Sequence, residues 1–566
     1  MQARRDFLQM AMAATAISGA SGLAPWARLA AQDRYDQDAL LDFDPLGNVT
    51  LMHVSDIHAQ LKPTYLRPPE VNIGLGETQG KAPYVTGEAL RIRYGVGGGT
   101  PMDYALTSEN FATLAQAYGK MGGLAQVAAI LDAIRAERPD ALFLDGGDTW
   151  AGSMTSLKTQ GQDIVTVMNA LGPDAMTAFG EFAYGTDRLR ELVAELPFVA
   201  LGQNIFDTQL HAPAAPFKPH AFFERGGVKI GVIGQAYPFT EALLPAALTS
   251  GFAFGLRLAN MQRMVEDLRA SGAELVVCLS QNGFEIDAKM AAEVEGIDVI
   301  LSGHSGYALP EPVIVGQTHI IASGSHGHFV SRVDLDVQNG KVLGLRHKLI
   351  PVFAELITPD PAVAGLIDAV RAPFKKDLEE ILGTAEVLLY RRGVANSTWD
   401  DLICTALLAT QDAQIALSPG FRWGPSVLPG QPVTREDIYN VTAVANPEVI
   451  RTEMTGAVLK DLLETAADLA FNPDPYLRQG ADMLRVGGLN FRLEVGKPKG
   501  RRIGALTLLP SKTAIEPAQI YVVAGWAVDI KGTAGPPIWE VLEGHIRALG
   551  QVGTATSGTV DLVLAE

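Results

Sequence analysis

Three short motifs in the sequence contain the residue types that bind metal ions in proteins. Asp56 and His58 form an Asp-x-His pair, Asp148 ends a Gly-Asp pair, and His304 ends a Gly-His pair. A carboxylate and an imidazole two residues apart can both reach one ion, and Asp148 could bridge two ions. The three motifs together predict a metal site.

Each motif directly follows an apolar run that predicts a buried β-strand. The runs are 49–54, 141–144 and 299–301. Asn204 and Gln281 follow two further predicted strands in the same way. Helical spacing separates most of the strands, as in 123–135. This alternation predicts a layered α/β domain, and such domains place their sites beyond the carboxyl ends of the strands.

The chain of 566 residues is too long for one compact domain. We predict a layered α/β domain over 32–352, a linker helix within 353–383, and a smaller α/β domain with its own core over 384–566. Residues 62–118 form a Gly- and Pro-rich insertion. A long insertion of this kind is more often a functional lid or rim than an independent domain.

The composition excludes some functions. A formal net charge of −18 argues against nucleic acid as a partner, because phosphate binding needs clustered Lys and Arg. Apolar residues make up 47% of the chain and charged residues 19%, which is sufficient for ordinary globular cores. Cys278 and Cys404 each lie within an apolar run, which predicts two buried thiols rather than a disulfide or a catalytic pair.

The first residues have the pattern of an export signal. Arg4 and Arg5 precede Phe7 and Leu8, followed by a mild apolar stretch over 10–23 and small residues at 30–31. We predict a twin-arginine signal peptide over 1–31 and a location in the periplasm. No later segment reaches the ~20 uninterrupted apolar residues of a membrane span, so we expect no membrane association after export.

The order of the three motifs resembles the calcineurin-type metallophosphoesterase and 5′-nucleotidase superfamily. Longer strings are similar to the SoxB family, the thiosulfohydrolases of the periplasmic sulfur-oxidising Sox system. These strings cover 56–63, 118–123, 233–237, 301–304, 323–327, 418–424 and 485–488. The resemblance extends nearly from end to end and includes the 62–118 insertion.

The resemblance implies a fold and an activity. It implies a metallophosphoesterase-type N-terminal domain and a 5′-nucleotidase-type C-terminal substrate domain. It also implies a pair of manganese ions that activates water. The substrate would be a cysteine S-thiosulfonate on a sulfur carrier protein of the Sox system, from which sulfate is hydrolysed.

Three positions depart from the family pattern. Phe179 occupies a ligand position in the third block, where it has no lone pair to donate. Gln281 replaces an imidazole with a weakly ligating amide, and Gly306 replaces a second histidine.

By the geometry of the superfamily, Asp56, His58 and Asp148 remain for the first ion. The second ion retains Asp148 and His304, with only the amide of Gln281 in addition. We therefore predict zero or one manganese ion in place of two, which puts turnover in doubt.

The substrate side of the site lies in the second domain. Arg422 and Arg485 could each present a guanidinium to a sulfonate, or each could tie two loops together. Trp423 and Tyr476 could line a channel for the carrier, or could pack between the domains.

Three functions are consistent with these features. The first is a SoxB-type hydrolase with an atypical site, and the second is an impaired paralogue that still binds the carrier. The third is a periplasmic nucleotidase or other phosphoesterase. We predict SoxB-type sulfur oxidation, with loss of catalysis as the alternative. The sequence does not identify a catalytic residue.

Overall fold

The N-terminal part of the chain is built on two six-stranded sheets. The structure is a computed structural model, and it describes residues 36–479, 482–509, 511–554 and 557–564. The predicted signal peptide at 1–31 lies outside the described residues.

The first sheet has the strand before Asp56 near its centre. In spatial order its strands are Lys341–Pro351, Phe329–Gln338, Val49–Val54, Leu142–Asp145, Ala175–Met176 and Val199–Ala200. Val49–Val54 and Leu142–Asp145 are parallel, with Val54 opposite Asp145. The loops that follow these two strands therefore leave the sheet at the same edge.

The second sheet carries the strands before Gln281 and His304. In spatial order its strands are Val313–Val315, Thr318–Ala322, Val299–Ser302, Leu275–Ser280, Val228–Gln235 and His220–Arg225. Leu275–Ser280 and Val299–Ser302 are parallel neighbours. Their loops also emerge side by side.

The two sheets pack face to face, and helices cover their outer faces. Apolar side chains of both sheets form one shared core, including Leu51, Leu144, Val232, Val277 and Leu301. The helices that flank the sheets are Leu124–Glu137, Gln162–Leu171, Thr186–Ala194, Leu258–Ala270 and Phe284–Glu293. Continuous apolar strands are needed here because each sheet is covered on both faces. The predicted layered α/β class is confirmed.

The 62–118 segment contains more regular structure than its composition indicates. It forms the short helices Gly87–Tyr94, Pro101–Leu106 and Phe111–Tyr118. Tyr104 and Phe111 are buried in the core of the N-terminal part. Helices of about two turns are too short to show a clear hydrophobic period, which explains why the sequence pattern did not reveal them.

The connector to the second part contains the helix Pro361–Arg371. Asp360 caps this helix, because its side chain accepts a hydrogen bond from the backbone N–H of Val363 at 2.8 Å. Val363 and Ile367 are buried in the core of the N-terminal part. The linker helix is thus packed against the first domain rather than suspended between the two. The predicted domain boundaries stay predictions.

The C-terminal part has a five-stranded mixed sheet as its largest sheet. In spatial order the strands are Arg485–Gly487, Ile415–Ser418, Ile520–Trp526, Glu448–Thr455 and Thr533–Pro537. A four-stranded sheet contains Thr513–Ala514, Ile503–Leu508, Leu489–Glu494 and Thr559–Val563, and a three-stranded sheet contains Pro432–Thr434, Ile381–Ala385 and Gln551–Val552. The helices are Thr398–Thr410, Arg435–Thr442, Gly456–Phe471 and Ile538–Leu549.

Two other predictions concern the whole chain. Cys278 and Cys404 are free and buried, as expected. Among the residues that the structure describes, no helix combines the length and the apolar character needed to cross a bilayer.

Candidate metal centre

Asp56, His58 and Asp148 come together at the shared edge of the first sheet. Each residue offers a ligand atom, and these atoms lie within 4.8 Å of one another. All three side chains are buried, with 1%, 7% and 9% of the residue surface exposed. Buried carboxylates need a cation or hydrogen-bond donors, so the composition and burial of this group fit a metal site.

Backbone hydrogen bonds hold the two ligand-bearing loops against each other. The N–H of Asp56 donates to the carbonyl of Gly147 at 2.9 Å, and the N–H of His58 donates to the carbonyl of Asp148 at 3.1 Å. Asp56, His58 and Asp148 all have left-handed backbone conformations, with φ of 54°, 51° and 56°. Such conformations cost on the order of 1 kcal/mol or more each and cluster at functional sites.

The described protein groups only partly neutralise the charges of the two carboxylates, Asp56 and Asp148. Both carboxylate oxygens of Asp56 accept the backbone N–H of His304 at 2.9 Å, and one also accepts the hydroxyl of Ser55 at 2.5 Å. Burial, followed by the charge of Asp148, raises the pKa of Asp56 to about 7. Nε2 of His58 lies 3.1 Å from Asp148, and its Nδ1 is buried without a hydrogen-bond partner among the described residues.

These features fit one divalent cation. Two carboxylates and one imidazole are three strong ligands, and water can complete the shell of an ion held by them. The raised pKa of Asp56 fits such a site, because a bound cation stabilises the ionised carboxylate.

Glu181 supports this centre and was not recognised as a functional residue in the sequence. Its buried carboxylate accepts the backbone N–H groups of Phe179 at 2.7 Å, Thr149 at 2.8 Å and Asp148 at 3.3 Å. Burial, followed by the charge of Asp148, raises the pKa of Glu181 to about 8. The only sequence signal was its place in the third family block, where a carboxylate follows the lost ligand position by two residues.

The structure does not bring His304 into the ligand group. Its imidazole stacks on Tyr237, with ring centroids 4.0 Å apart and planes at 22°. Phe179 packs edge-on against His304 at 5.3 Å and against Tyr237 at 4.7 Å. Nδ1 of His304 is buried without a hydrogen-bond partner among the described residues, and the prediction that His304 ligates an ion beside Asp148 stays a prediction.

The other altered positions offer only one weak ligand atom for a second ion, the amide oxygen of Gln281. Nε2 of Gln281 donates to Ser55 at 3.3 Å, and its oxygen is buried without a hydrogen-bond partner among the described residues. Gly306 has φ of 60°, and a Cβ there would lie 3.1 Å from Nη1 of Arg392. A Cβ at Gly180 would lie 2.2 Å from Oδ1 of Asp148. The donor set fits one ion and does not fit two.

Arg422 and Trp423 connect the C-terminal part to the candidate centre. The ring of Trp423 stacks against His58, with centroids 5.6 Å apart and planes at 29°. Nε of Arg422 donates to Asp482 at 2.8 Å, while its two terminal nitrogens have no hydrogen-bond partner among the described residues. About a fifth of the Arg422 side chain is exposed, at 21%. Arg422 is available to an anion beside the centre.

Arg485 is a correction to the sequence analysis. Only 1% of this residue is exposed. Its guanidinium donates to the backbone carbonyls of Gly393, Val394 and Met483, and lies within 3.5 Å of Asp400. All of these partners belong to the protein, so Arg485 ties loops together and does not reach a substrate.

Tyr476 is a second correction. Its hydroxyl donates to Glu293 at 2.8 Å, and Nζ of Lys289 lies 4.0 Å above its ring. Both partners are on the helix Phe284–Glu293 of the N-terminal part. Tyr476 therefore packs between the two parts of the chain, which is one of the two roles that the sequence left open.

Fold and site together define a metal-dependent phosphoesterase of α/β type. The family profile of the 5′-nucleotidase C-terminal domain matches residues 381–543. The bovine 5′-nucleotidase is 30% identical over 469 residues, which cover 74% of this chain and 79% of that protein. The chain belongs to the 5′-nucleotidase family.

Solved structures give a finer comparison. The sulfate thiohydrolase SoxB of Thermus thermophilus, in complex with glycerol, is 34% identical with a TM-score of 0.88. The alignment covers 92% of this chain and 98% of that one. A 5′-nucleotidase precursor, also from Thermus thermophilus, has a TM-score of 0.73 at 21% identity, and so supports the fold alone. That alignment covers 92% of this chain and 100% of the precursor.

Proposed function

We propose that the protein is a SoxB-like member of the family that acts on a carrier-bound cysteine S-thiosulfonate in thiosulfate oxidation. The observation that carries the proposal is the position of Arg422. Its two terminal guanidinium nitrogens are unshared among the described residues, and it directly precedes Trp423, the residue stacked on His58. The similarity to the Thermus sulfate thiohydrolase over nearly the whole chain supports it.

Each residue of the site has its own role in the proposed reaction. Asp56, His58 and Asp148 would hold one divalent cation, and such an ion supplies Lewis acidity and an activated water. Arg422 presents a planar fork that matches sulfonate oxygens and stabilises the negative charge that develops on them. Trp423 fixes the plane of His58 and excludes water from that side of the site.

A second candidate is a paralogue that binds the carrier without turnover. The packing of Phe179, Tyr237 and His304 favours it, because these rings occupy the side of the site where the family places its second ion. A two-ion site can hold both the attacking water and the sulfonate whose bond to sulfur breaks, and loss of the second ion removes part of this stabilisation. Nucleotide hydrolysis is a third candidate, favoured by the similarity to the bovine 5′-nucleotidase.

One experiment separates the three candidates. The purified protein is loaded with manganese and incubated with a thiosulfonate-loaded carrier protein and, separately, with AMP. His58→Gln removes a ligand, and His211→Gln, at an exposed histidine, is the matched control. Sulfate release that depends on His58 supports the hydrolase. Carrier binding without sulfate release supports the impaired paralogue, and phosphate release from AMP overturns both.

The proposal extends to location and cofactor. We propose that the twin-arginine motif at residues 4–5 directs export to the periplasm, where the carrier protein is the partner and manganese is the ion. Replacing Arg4 and Arg5 by Lys should retain the protein in the cytoplasm, as measured by cell fractionation. Periplasmic recovery of that variant would contradict the export route.

A further inference from the structure

A second cavity lies between the 62–118 segment and the loop that follows His304. It has a volume of about 70 Å³. Its apolar walls include Pro68, Leu90, Leu106 and Phe329. Asp56, His58, Asp148 and Arg422 do not line it. The cavity therefore adjoins the candidate metal centre at Gly306 but does not include its ligands.

Arg392 lines this cavity as a buried cation without a counter-charge. Only 7% of the residue is exposed. Its terminal nitrogens donate to the carbonyls of Gly306 at 3.0 Å and Ser305 at 3.1 Å. No carboxylate oxygen of the described residues lies within ion-pairing distance of its guanidinium. The two carbonyls hold the guanidinium of Arg392 in place, but they do not neutralise its positive charge. A buried charge is costly unless it is paired.

Arg67 lines the same cavity and has an unsatisfied donor. Its side chain is 11% exposed, and one terminal nitrogen donates to the exposed carboxylate of Glu70 at 2.7 Å. The guanidinium carbon lies 4.3 Å from the ring centroid of Tyr390. The other terminal nitrogen, Nη1, is buried without a hydrogen-bond partner in the described part of the chain. A buried N–H of a charged group without an acceptor is rare in folded proteins.

The charged side chains of the described residues that line the cavity are all positive. Of the described residues, two arginines contribute to it and no aspartate or glutamate does, although the chain as a whole carries a net charge of −18. The remaining surface is largely apolar and rich in proline. These walls select a ligand with a negative head and a short apolar body.

We propose that this cavity binds a small organic monoanion, with a carboxylate or sulfonate head held by Arg67 and Arg392 and an alkyl body of one to three carbons. A guanidinium matches both head groups through paired hydrogen bonds. The volume has room for roughly five to seven water-sized groups at about 10–15 Å³ each, which limits the alkyl body to this size. The inference does not rest on the proposed function, because neither the metal ligands nor Arg422 line the cavity.

The test measures binding to the full-length exported protein in EDTA, so that metal-bound anions do not contribute. Propionate and ethanesulfonate are titrated by calorimetry at constant ionic strength, with propionamide as the uncharged analogue of propionate. We expect saturable binding of at least one of the two anions and none of propionamide. The anion that binds more tightly identifies the head group.

Three variants make the test specific to the cavity. Arg67→Met should weaken binding of the anion at least about tenfold, because it removes the unsatisfied donor. Glu70→Gln removes the exposed carboxylate that competes for Arg67 and should strengthen binding. Arg263→Met, at an exposed arginine that does not line the cavity, should change nothing. Equal binding by wild type and Arg67→Met, binding of propionamide, or no binding of either anion would overturn the proposal.

Discussion

We predict opposite effects of substituting Arg485 and Arg422, although both arginines lie in the C-terminal part. Arg485→Met should destabilise the protein without affecting the affinity of the folded protein for an anion. Arg422→Met should weaken anion binding with a smaller effect on stability. The difference follows from the partners of the two guanidinium groups.

The magnitudes can be estimated from these partners. Loss of Arg485 leaves the carbonyls of Gly393, Val394 and Met483 without their donor. It also removes one of the two arginines beside the carboxylate of Asp400, the other being Arg391, and a contact with Asp482 at 3.4 Å. Breaking a buried charged network costs about 3–5 kcal/mol. This cost corresponds to a fall in melting temperature of roughly 6–20 °C for a domain of this size.

Arg422 has one hydrogen-bonded partner, Asp482, and is partly exposed. Its loss should cost about 1–2 kcal/mol of stability, which corresponds to roughly 2–8 °C. Loss of a charge-assisted bond to the ligand should weaken binding of thiosulfate by about 10- to 100-fold.

Thermal unfolding by circular dichroism and thiosulfate titration of the manganese-loaded protein measure the two effects. Titration at room temperature keeps both variants folded. An Arg485→Met variant that melts within about 2 °C of wild type and loses thiosulfate binding would show that Arg485 is a substrate residue and would contradict the prediction.

Three further predictions concern residues that position the ligands of the candidate centre. In each case the affinity of the metal-free protein for manganese is measured by calorimetry. Glu181→Gln should lower the affinity by about 10- to 100-fold, because the variant loses acceptors that position the Asp148 loop; unchanged affinity would contradict this role. Trp423→Ala should lower it by roughly 2- to 12-fold, the equivalent of one aromatic stack on His58, and a larger loss would mean that Trp423 does more than orient the ring. Gly180→Ala should lower it by about 5- to 150-fold, since its Cβ would overlap Asp148, and wild-type affinity would show that this carboxylate can move without cost.

Much of the fold was predictable because its physical signals are local. The apolar runs 49–54, 141–144 and 299–301 correspond to strands at Val49–Val54, Leu142–Asp145 and Val299–Ser302. The helix predicted over 123–135 is Leu124–Glu137. Polar residues directly after parallel strands meet at one edge, and the sequence therefore pointed to Asp56, His58 and Asp148 without knowledge of the tertiary structure.

The remaining parts of the site depend on packing that no local pattern records. Arg485 is buried and Arg422 is partly exposed, and no sequence pattern indicates which of the two segments is covered. His304 follows a strand as the ligands do, but its ring is held by Tyr237, which lies far from it in the sequence. Arg392 carries no motif, and its unpaired charge is apparent only from the distances to its neighbours in the described part of the chain.

We expect Asp56, His58 and Asp148 to bind one ion, and Phe179, Gln281 and Gly306 to prevent a second. The most direct test is the number of manganese ions per folded chain, measured by native mass spectrometry in excess manganese. The triple variant with histidine at those three positions serves as the comparison. We expect one ion in the wild type and a second in the variant; two fully occupied ions in the wild type would contradict this expectation.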